Sequence, residues 1–457
     1  MNKIDEFNEY SKSNYMYQTR GKYLVYEIIT EETDNVEFAD FYKCAQLLIH
    51  SNKYLENPKL PEKSEYFIDW GDGQTELFKS NTDDIPQDII DSVQESESKL
   101  EEFLKLIDGS ILSHTYNDKK EYTIKIYIYN PDLYKEYTLV EGDNFLNSCD
   151  NFLASYPNSV LLNLNCKPKL IKHYGINNKL FPVTFNAFNI ECNPQLILDN
   201  EITEILDSSL GQYMFMGELK LPDNLTSIGD NAFNYCWGFT GELNIPSGVT
   251  SIGNYAFGNC SGFTGDLNIP DSVTSIGENA FYYCSGFTSL KLPKHLTNIG
   301  FEAFRYCLGF TGELNIPDSV TTIGESAFNR CIGFTSLKLP EHLTSIGDWA
   351  FYYCSGFTGE LNIPKSITSI GDGTFSNCPG FTGELKLPLG ITSIGEYAFN
   401  GCTGFTGELV IPQYVLTIGE DAFMECNFDI IKVSKKLEEN SPNNLIESLP
   451  NTEIIYY

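Results

Sequence analysis

The segment CSGFTGDLNIPDSVTSIGENAFYYCSGFT, Cys260 to Thr288, returns to its opening letters after 24 residues, and the chain does this nine times. Cys236, Cys260, Cys284, Cys307, Cys331, Cys354, Cys378, Cys402 and Cys426 form one column, at spacings of 24, 24, 23, 24, 23, 24, 24 and 24. The two short units replace FTGEL by FTSL, at Ser289 and Ser336. The missing residue is expected to be absorbed in a turn, after which the frame recovers. A fixed period in the twenties means a solenoid, in which a unit cannot bury its apolar face alone and buries it against its neighbours.

Within a unit the letters sort by role. In GELNIP (241–246) Leu243 and Ile245 alternate with Glu242 and Asn244, the period of a strand with one buried face. Pro246 ends it, since proline has no N–H to donate to a ladder. SGVTSIG turns the chain and points Val249 and Ile252 inward, with Gly253 expected to supply a backbone bend. NYAFGNC places Ala256, Phe257 and Cys260 inward on one or two helical or 3₁₀ turns, and SGFTG closes the coil with Phe263 as the large filler. The pattern LxIPxxVTSIGxxAFxxCxGFTG resembles the BspA-like leucine-rich repeats, known from bacterial surface proteins and from large families in some protozoa. That resemblance covers about 217–427. It implies a right-handed leucine-rich-repeat solenoid with a role in adhesion or protein recognition, and it implies no catalytic residue.

Four roles compete for the cysteine column. Side chains stacked about 4.8 Å apart point the same way, so their Cβ atoms do not close to the roughly 3.8 Å of a disulfide. Zinc wants four converging ligands, and no histidine shares the register. A reactive thiol needs an exposed, electropositive setting, whereas this chain carries 62 acidic against 30 basic residues, a formal charge of −32. The remaining role is a small, weakly polar filler of one gap per coil. Cys44, Cys149, Cys166 and Cys192 stand outside the column.

The first half reads differently. YFIDWGDG (66–73) and SHTYNDKKEYTIKIYI (113–128) resemble the signature of PKD-like β-sandwiches, with KYLVYEIIT (22–30) as an earlier strand of the same sheet. Between them lies an acidic insertion, 81–110, which the compact family pattern lacks; its part DSVQESESKLEEFLKLI (91–107) reads as an exposed helix. Asp69, Asp72 and His114 are candidates for chemistry, but Asp side chains bond their own backbone in tight turns. Gly71 and Gly73 are expected to supply positive φ there. Too few carboxylates stand close together for a calcium loop. Degenerate coils such as ITEILDSSL (202–210) make 131–216 a connector and N-terminal cap. The division expected is 1–130 PKD-like β-sandwich with its insertion, 131–216 connector and cap, 217–427 repeats, and 428–457 C-terminal cap with a last helix and strand. The fold class is mainly β.

No GxGxxG, phosphate loop, HExxH, GxSxG or CxxC occurs. His295 and His342 hold the same repeat position, where sister units carry Ser, Gly or Asn, and need no chemistry. The expectation is no enzyme, no cofactor and no metal. The acidic balance disfavours nucleic acid and anionic membrane. No stretch approaches the roughly 20 apolar residues of a membrane span, and the first residues hold no apolar core of a signal peptide.

Constant positions are core, so recognition falls to outward, variable ones. On the strand face an acidic column runs Glu218, Glu242, Asp266, Ser289, Glu313, Ser336, Glu360, Glu384 and Glu408, beside recurring Lys291, Lys338 and Lys386. Stacked like charges repel, and the lysines temper this, so the face is either a solubilising surface or a polar dock for a basic or carbohydrate-bearing partner. A second set is aromatic: Tyr235, Trp237, Tyr255, Tyr282, Tyr283, Phe301, Tyr306, Trp349, Tyr352, Tyr353 and Tyr397. Tyr and Trp are common binding anchors, though the same rings can serve as half-buried packing between coils. The expected function is non-enzymatic adhesion or recognition of a host protein or glycan, at a cell surface or on a virion. A structural part of a virus or phage particle and an intracellular scaffold are the alternatives. Homo-oligomers belong to the first of these.

Overall fold

The computed structural model describes residues 24–30, 33–39, 65–69, 72–79, 111–120, 123–129, 161–162, 168–173, 179–180, 184–185, 195–211, 215–435, 437 and 452–457. The chain divides into two units, Met1–Met216 and Gly217–Tyr457. The insertion helix at 91–107, Trp70 and Gly71, the four cysteines outside the column and all of the expected last helix but Lys435 and Leu437, which are helical, lie outside the described residues.

In the first unit Leu24–Thr30 pairs antiparallel with both Thr123–Tyr129 and Pro168–His173. Glu65–Asp69 extends this sheet on Thr123–Tyr129 and forms a hairpin with Thr75–Lys79, while Gln195–Leu198 joins parallel on the far side. Leu24–Thr30 therefore shares a sheet with the WGDG hairpin. Ile68 and Ile124 are buried in it. At the hairpin Asp72 Oδ1 accepts the Gln74 N–H at 3.0 Å, and Gly73 sits at φ +92°, the geometry of an Asx turn. Asp69 closes a strand opposite Thr75 and Lys125. His114 lies within Ile111–Lys120, paired with Thr33–Ala39.

In the second unit each repeat is one coil, and equivalent residues of successive coils pair in parallel, as Ser227 and Ile228 do with Ser251 and Ile252. Leu243, Ile245, Val249, Ile252, Ala256, Phe257, Cys260 and Phe263 are buried in their coil; their equivalents repeat the pattern except on the strand segment, where Leu290, Leu337, Leu339 and Ile363 are only half-buried. Two columns of phenylalanines form the spine. Phe233, Phe257, Phe281, Phe304, Phe328, Phe351, Phe375, Phe399 and Phe423 stack at centroid spacings of 5.2–5.6 Å. A second column, Phe239 to Phe428, stacks beside it at 5.3–6.5 Å. Ile430–Val433 and Glu453–Tyr456 continue the parallel ladder from Glu408–Val410.

Three details differ from the sequence-based expectation. The missing residue of a short unit comes out of the strand ladder, not out of a turn: the pairing slips by one residue between Gly265–Phe287 and Asn268–Lys291, where a full-length coil slips by two between Gly359–Phe381 and Asn362–Lys386. Gly253 is not a flexible bend. Its coil presses against the one before, and an added Cβ would lie 2.5 Å from Asp230 N and 2.5 Å from Gly229 C. The segment NYAFGNC is neither α nor 3₁₀ helix but a run of tight turns with two residues in the left-handed region, Tyr255 at φ 52° and Asn259 at φ 62°. The physical reason lies between coils. Asn231, Phe233 and Tyr235 donate their N–H groups to Asn254, Ala256 and Gly258 of the next coil at 2.7–2.8 Å. Ala232, Asn234 and Cys236 donate three residues back within their own coil. Alternating the two hands turns every second N–H toward the neighbour, which a helix cannot do because its N–H groups all point along one axis.

The cysteines fill the gap as expected and also do something the sequence did not announce. Cys260 Sγ donates to the Phe233 carbonyl of the preceding coil at 3.0 Å, and seven later cysteines repeat the bond at 3.0–3.2 Å. That carbonyl also accepts the Cys236 N–H, so the thiol occupies its second lone pair. All nine are buried free thiols. Burial pushes the thiols from Cys260 on above their ordinary value, to about 12 at Cys284 and Cys402.

Candidate binding surface

Every one of the nine coils places two residues in the left-handed region, immediately before the invariant Ala (Thr in one coil) and immediately before the Cys. Only glycine enters that region freely; Asn and Asp tolerate it, and a bulky residue there is an outlier. Seven of the eighteen positions follow the easy rule: Asn231, Asn259, Asn279, Gly373, Asn377, Gly401 and Asp421. Another seven carry large aromatics: Tyr235, Tyr255, Tyr283, Tyr306, Trp349, Tyr353 and Tyr397, at φ between 52° and 63°. A left-handed conformation costs an ordinary residue about 1–2 kcal/mol. These rings sit where the backbone would be served better by the residues of sister coils.

The structure brings most of the candidate aromatics into one strip along the coils. Tyr283 lies 6.2 Å from Tyr282 and 5.7 Å from Tyr306, and Tyr282 stands edge-on to Tyr306 at 5.9 Å. Further along, Tyr352 meets Tyr353 and Trp349, each at 5.2 Å, and Trp349 reaches Tyr397 at 6.4 Å. Between these groups stand two arginines that the sequence reading passed over. Arg305 Cζ lies 5.0 Å from the Tyr306 ring centre. Arg330 Cζ lies 5.5 Å from Tyr306, 6.0 Å from Tyr352 and 5.1 Å from Tyr353, joining the two aromatic groups. The available signal was positional: Arg305 aligns with Tyr282 and Tyr352, and Arg330 with Tyr283, Tyr306 and Tyr353. Arg side chains stack on aromatic faces, so an Arg in an aromatic column belongs to it.

Tyr283 and Tyr353 are 44% and 39% exposed, whereas Tyr282, Tyr306, Trp349, Tyr352 and Tyr397 are half-buried. The strip thus serves packing and presents faces at once. Partial burial, and then the fields of Glu302, Glu278 and Tyr235, push the Tyr255 phenol above its usual value. Burial raises Tyr282 too, against the opposing pull of the Arg305 guanidinium. Burial works against the charge of Arg305, and its contacts with Glu302 and Tyr306 more than offset that.

Other candidates border the strip or stand outside it. Tyr235, Trp237, Tyr255 and Phe301 are exposed; among the described residues none of them stacks on a ring of the strip, although the Tyr235 phenol lies near enough to act on those of Tyr255 and Tyr282. Lys291, Lys338 and Lys386 are exposed on the strand segments of their coils. In the acidic column Ser289 Oγ donates to Asp266 Oδ1 at 2.6 Å, and Glu408 pairs with Lys432 at 2.7 Å. Among the described residues no three His, Cys, Asp or Glu side chains gather as metal ligands.

The period, the parallel ladders and the buried columns define a leucine-rich-repeat solenoid. The chain belongs to the BspA type leucine rich repeat family: the family model matches at 166–264, 203–332, 263–382, 310–427 and 381–454, together more than half of the sequence. The match extends beyond the expected repeat limits of 217 and 427 at both ends. Solved structures similar to this chain include a leucine-rich repeat protein from Bacteroides ovatus, at 18% identity and a TM-score of 0.38, covering 70% of this chain and all of the other. A leucine rich cell surface protein from Faecalibacterium prausnitzii matches at 21% identity and 0.27, over 63% of this chain and 90% of the other. The pneumococcal vaccine antigen PcpA matches at 14% identity and 0.40, over 65% and 94%. Comparison with curated proteins finds no match.

Proposed function

We propose that this protein is a non-enzymatic recognition protein, an adhesin that binds a host protein or glycan through the aromatic strip of its solenoid. One observation carries the reading: five rings of the strip, Tyr283, Tyr306, Trp349, Tyr353 and Tyr397, are held in a left-handed conformation that Asn or Gly would adopt more easily. Strain retained against an easier alternative belongs with function, and Tyr, Trp and Arg are the residue types that dominate binding energetics. The family supports the reading, as do a cell-surface protein and a vaccine antigen among the similar structures. The segments 1–130 and 131–216 would then be a PKD-like domain and a connecting cap. The location that fits is a surface; among the described residues no helix is long and apolar enough to cross a membrane.

The test is a binding screen against glycan and host-protein arrays, with a variant replacing Tyr282, Tyr283, Tyr352 and Tyr353 by Ser. Wild type should bind at least one class of ligand and the variant at least tenfold more weakly, with an unchanged circular dichroism spectrum. Unaltered affinity removes the strip. Silence on both arrays together with self-assembly in light scattering would replace adhesion by a structural role in a particle.

A further inference from the structure

We propose that the strip holds a saccharide bearing a single carboxylate, and that Arg330 receives that carboxylate. This deepens the recognition function above and rests on it.

Arg330 is the junction of the strip, within 5.1–6.0 Å of three tyrosine rings, and is itself left-handed at φ 62°. Such contacts with ring faces use the positive charge of a guanidinium and not its five N–H donors. Among the described residues Arg330 has no carboxylate in ion-pair range, whereas the charge of Arg305 is answered by Glu302. In a chain with 62 acidic and 30 basic residues, an arginine braced by three rings and left without an anion is set to receive one from outside.

The surroundings limit what that anion is. Glu302, Glu325 and Asp348 stand on the same turn segments of the adjoining coils, so the positive spot is one side chain wide. A polyanionic partner would meet the −32 field with every charge it carries, while a ligand whose only charge is one carboxylate meets it once and sets that charge against the guanidinium. On either side the spot is flanked by Tyr282 and Tyr283 and by Tyr352 and Tyr353, three coils apart. That separation is about 14 Å at the strand spacing of roughly 4.8 Å, the length of two or three sugar residues. Phenol rings offer apolar faces and hydroxyl edges in alternation, matching the C–H faces and hydroxyl rims of pyranose rings. A peptide ending in a free carboxylate shares the charge but not that alternation.

The experiment immobilises oligosaccharides ending in glucuronic acid or N-acetylneuraminic acid, their neutral counterparts ending in glucose or N-acetylglucosamine, and a peptide with a free or amidated C-terminus. The full chain is compared with Arg330→Gln, Arg330→Lys and the pair Tyr283→Asn with Tyr353→Asn. The expected result is retention of an acidic saccharide at least tenfold tighter than its neutral counterpart. Arg330→Gln should fall to the neutral level at unchanged circular dichroism, and Arg330→Lys should recover only part of the difference. Equal retention of acidic and neutral sugars, wild-type affinity in Arg330→Gln, or preference for the free peptide carboxylate would each overturn the inference. Binding of neutral sugars or of a protein that the tyrosine pair abolishes would sink the carboxylate while leaving the recognition function standing. Failure of every sugar and protein would end both.

Discussion

Replacing Gly253 and Gly312 by alanine separates two reasons for which this solenoid uses glycine. At Gly253 the new Cβ would stand 2.5 Å from Asp230 N and from Gly229 C, atoms that cannot rotate away. Ordinary contact begins near 3.4 Å, so the coils must part locally by roughly 1 Å. Two bonds hold them there: Gly253 N–H to Ile228 O and Thr250 N–H to Thr226 O, each 2.9 Å. Stretching both past useful range loses about 1 kcal/mol each, and overpacking adds about 1–3 kcal/mol, for a total of about 3–5 kcal/mol. At Gly312 the same methyl meets nothing within 4 Å, but the residue sits at φ +77°. The left-handed cost is about 1–2 kcal/mol, less about 0.4–1 kcal/mol for the stiffer unfolded chain, a net loss near 1 kcal/mol. Urea unfolding followed by intrinsic fluorescence on both variants measures the difference. A Gly312→Ala loss equal to or above that of Gly253→Ala would refute close approach as the reason for the glycine.

Other consequences follow from the buried thiols and the spine. Because the folded thiols at Cys284 and Cys402 keep their protons to about 12 while the unfolded value is 9.0, the folded state binds more protons between those values. The stabilisation is complete below pH 9 and falls as pH rises, by up to about 1.4 kcal/mol per unit for each such thiol; urea midpoints at pH 8, 9.5 and 10.5 should drop, and Cys284→Ala with Cys402→Ala should flatten the slope. Native protein should leave the nine column thiols unmodified by a thiol-specific reagent at pH 8 and expose all of them in denaturant, as mass spectrometry of the labelled peptides would show; rapid native labelling would contradict their burial. Phe304→Ala removes a ring stacked 5.5 Å from Phe281 and 5.4 Å from Phe328 and should cost about 3–5 kcal/mol in the same unfolding assay, where a loss under 1 kcal/mol would contradict the spine.

The inward positions were legible because one face must be apolar in every coil, and repetition shows the choice nine times over: Leu243, Ile245, Val249, Ile252, Ala256, Phe257, Cys260 and Phe263 are where the letters put them. The conformation of NYAFGNC was not legible. Its letters suit a helical turn, and its alternating hands are set by hydrogen bonds to residues 23 positions away, which no local propensity contains. For the same reason Gly253 was misread, since its constraint is the backbone of another coil. The thiol bond was hidden because a filler and a weak donor are the same letter. Among candidate binding residues the tyrosines stood out by chemistry, but Arg330 did not, because its role appears only when its column is laid beside Tyr306 and Tyr353.

The central claim is that the left-handed aromatics are kept for contact with a partner and not for the fold. Replacing Tyr283 and Tyr353 together by Asn measures this most directly, with melting temperature and ligand affinity taken on the same sample. Relief of two strained backbones, about 1–2 kcal/mol each, should roughly balance the loss of three ring contacts, worth about 0.5–1.5 kcal/mol apiece, and of the Arg330 contact over Tyr353, worth about 0.5–1 kcal/mol. The melting temperature should therefore change little while affinity falls at least tenfold. A clear drop in melting temperature with affinity preserved would show that the rings serve packing, and would contradict the account.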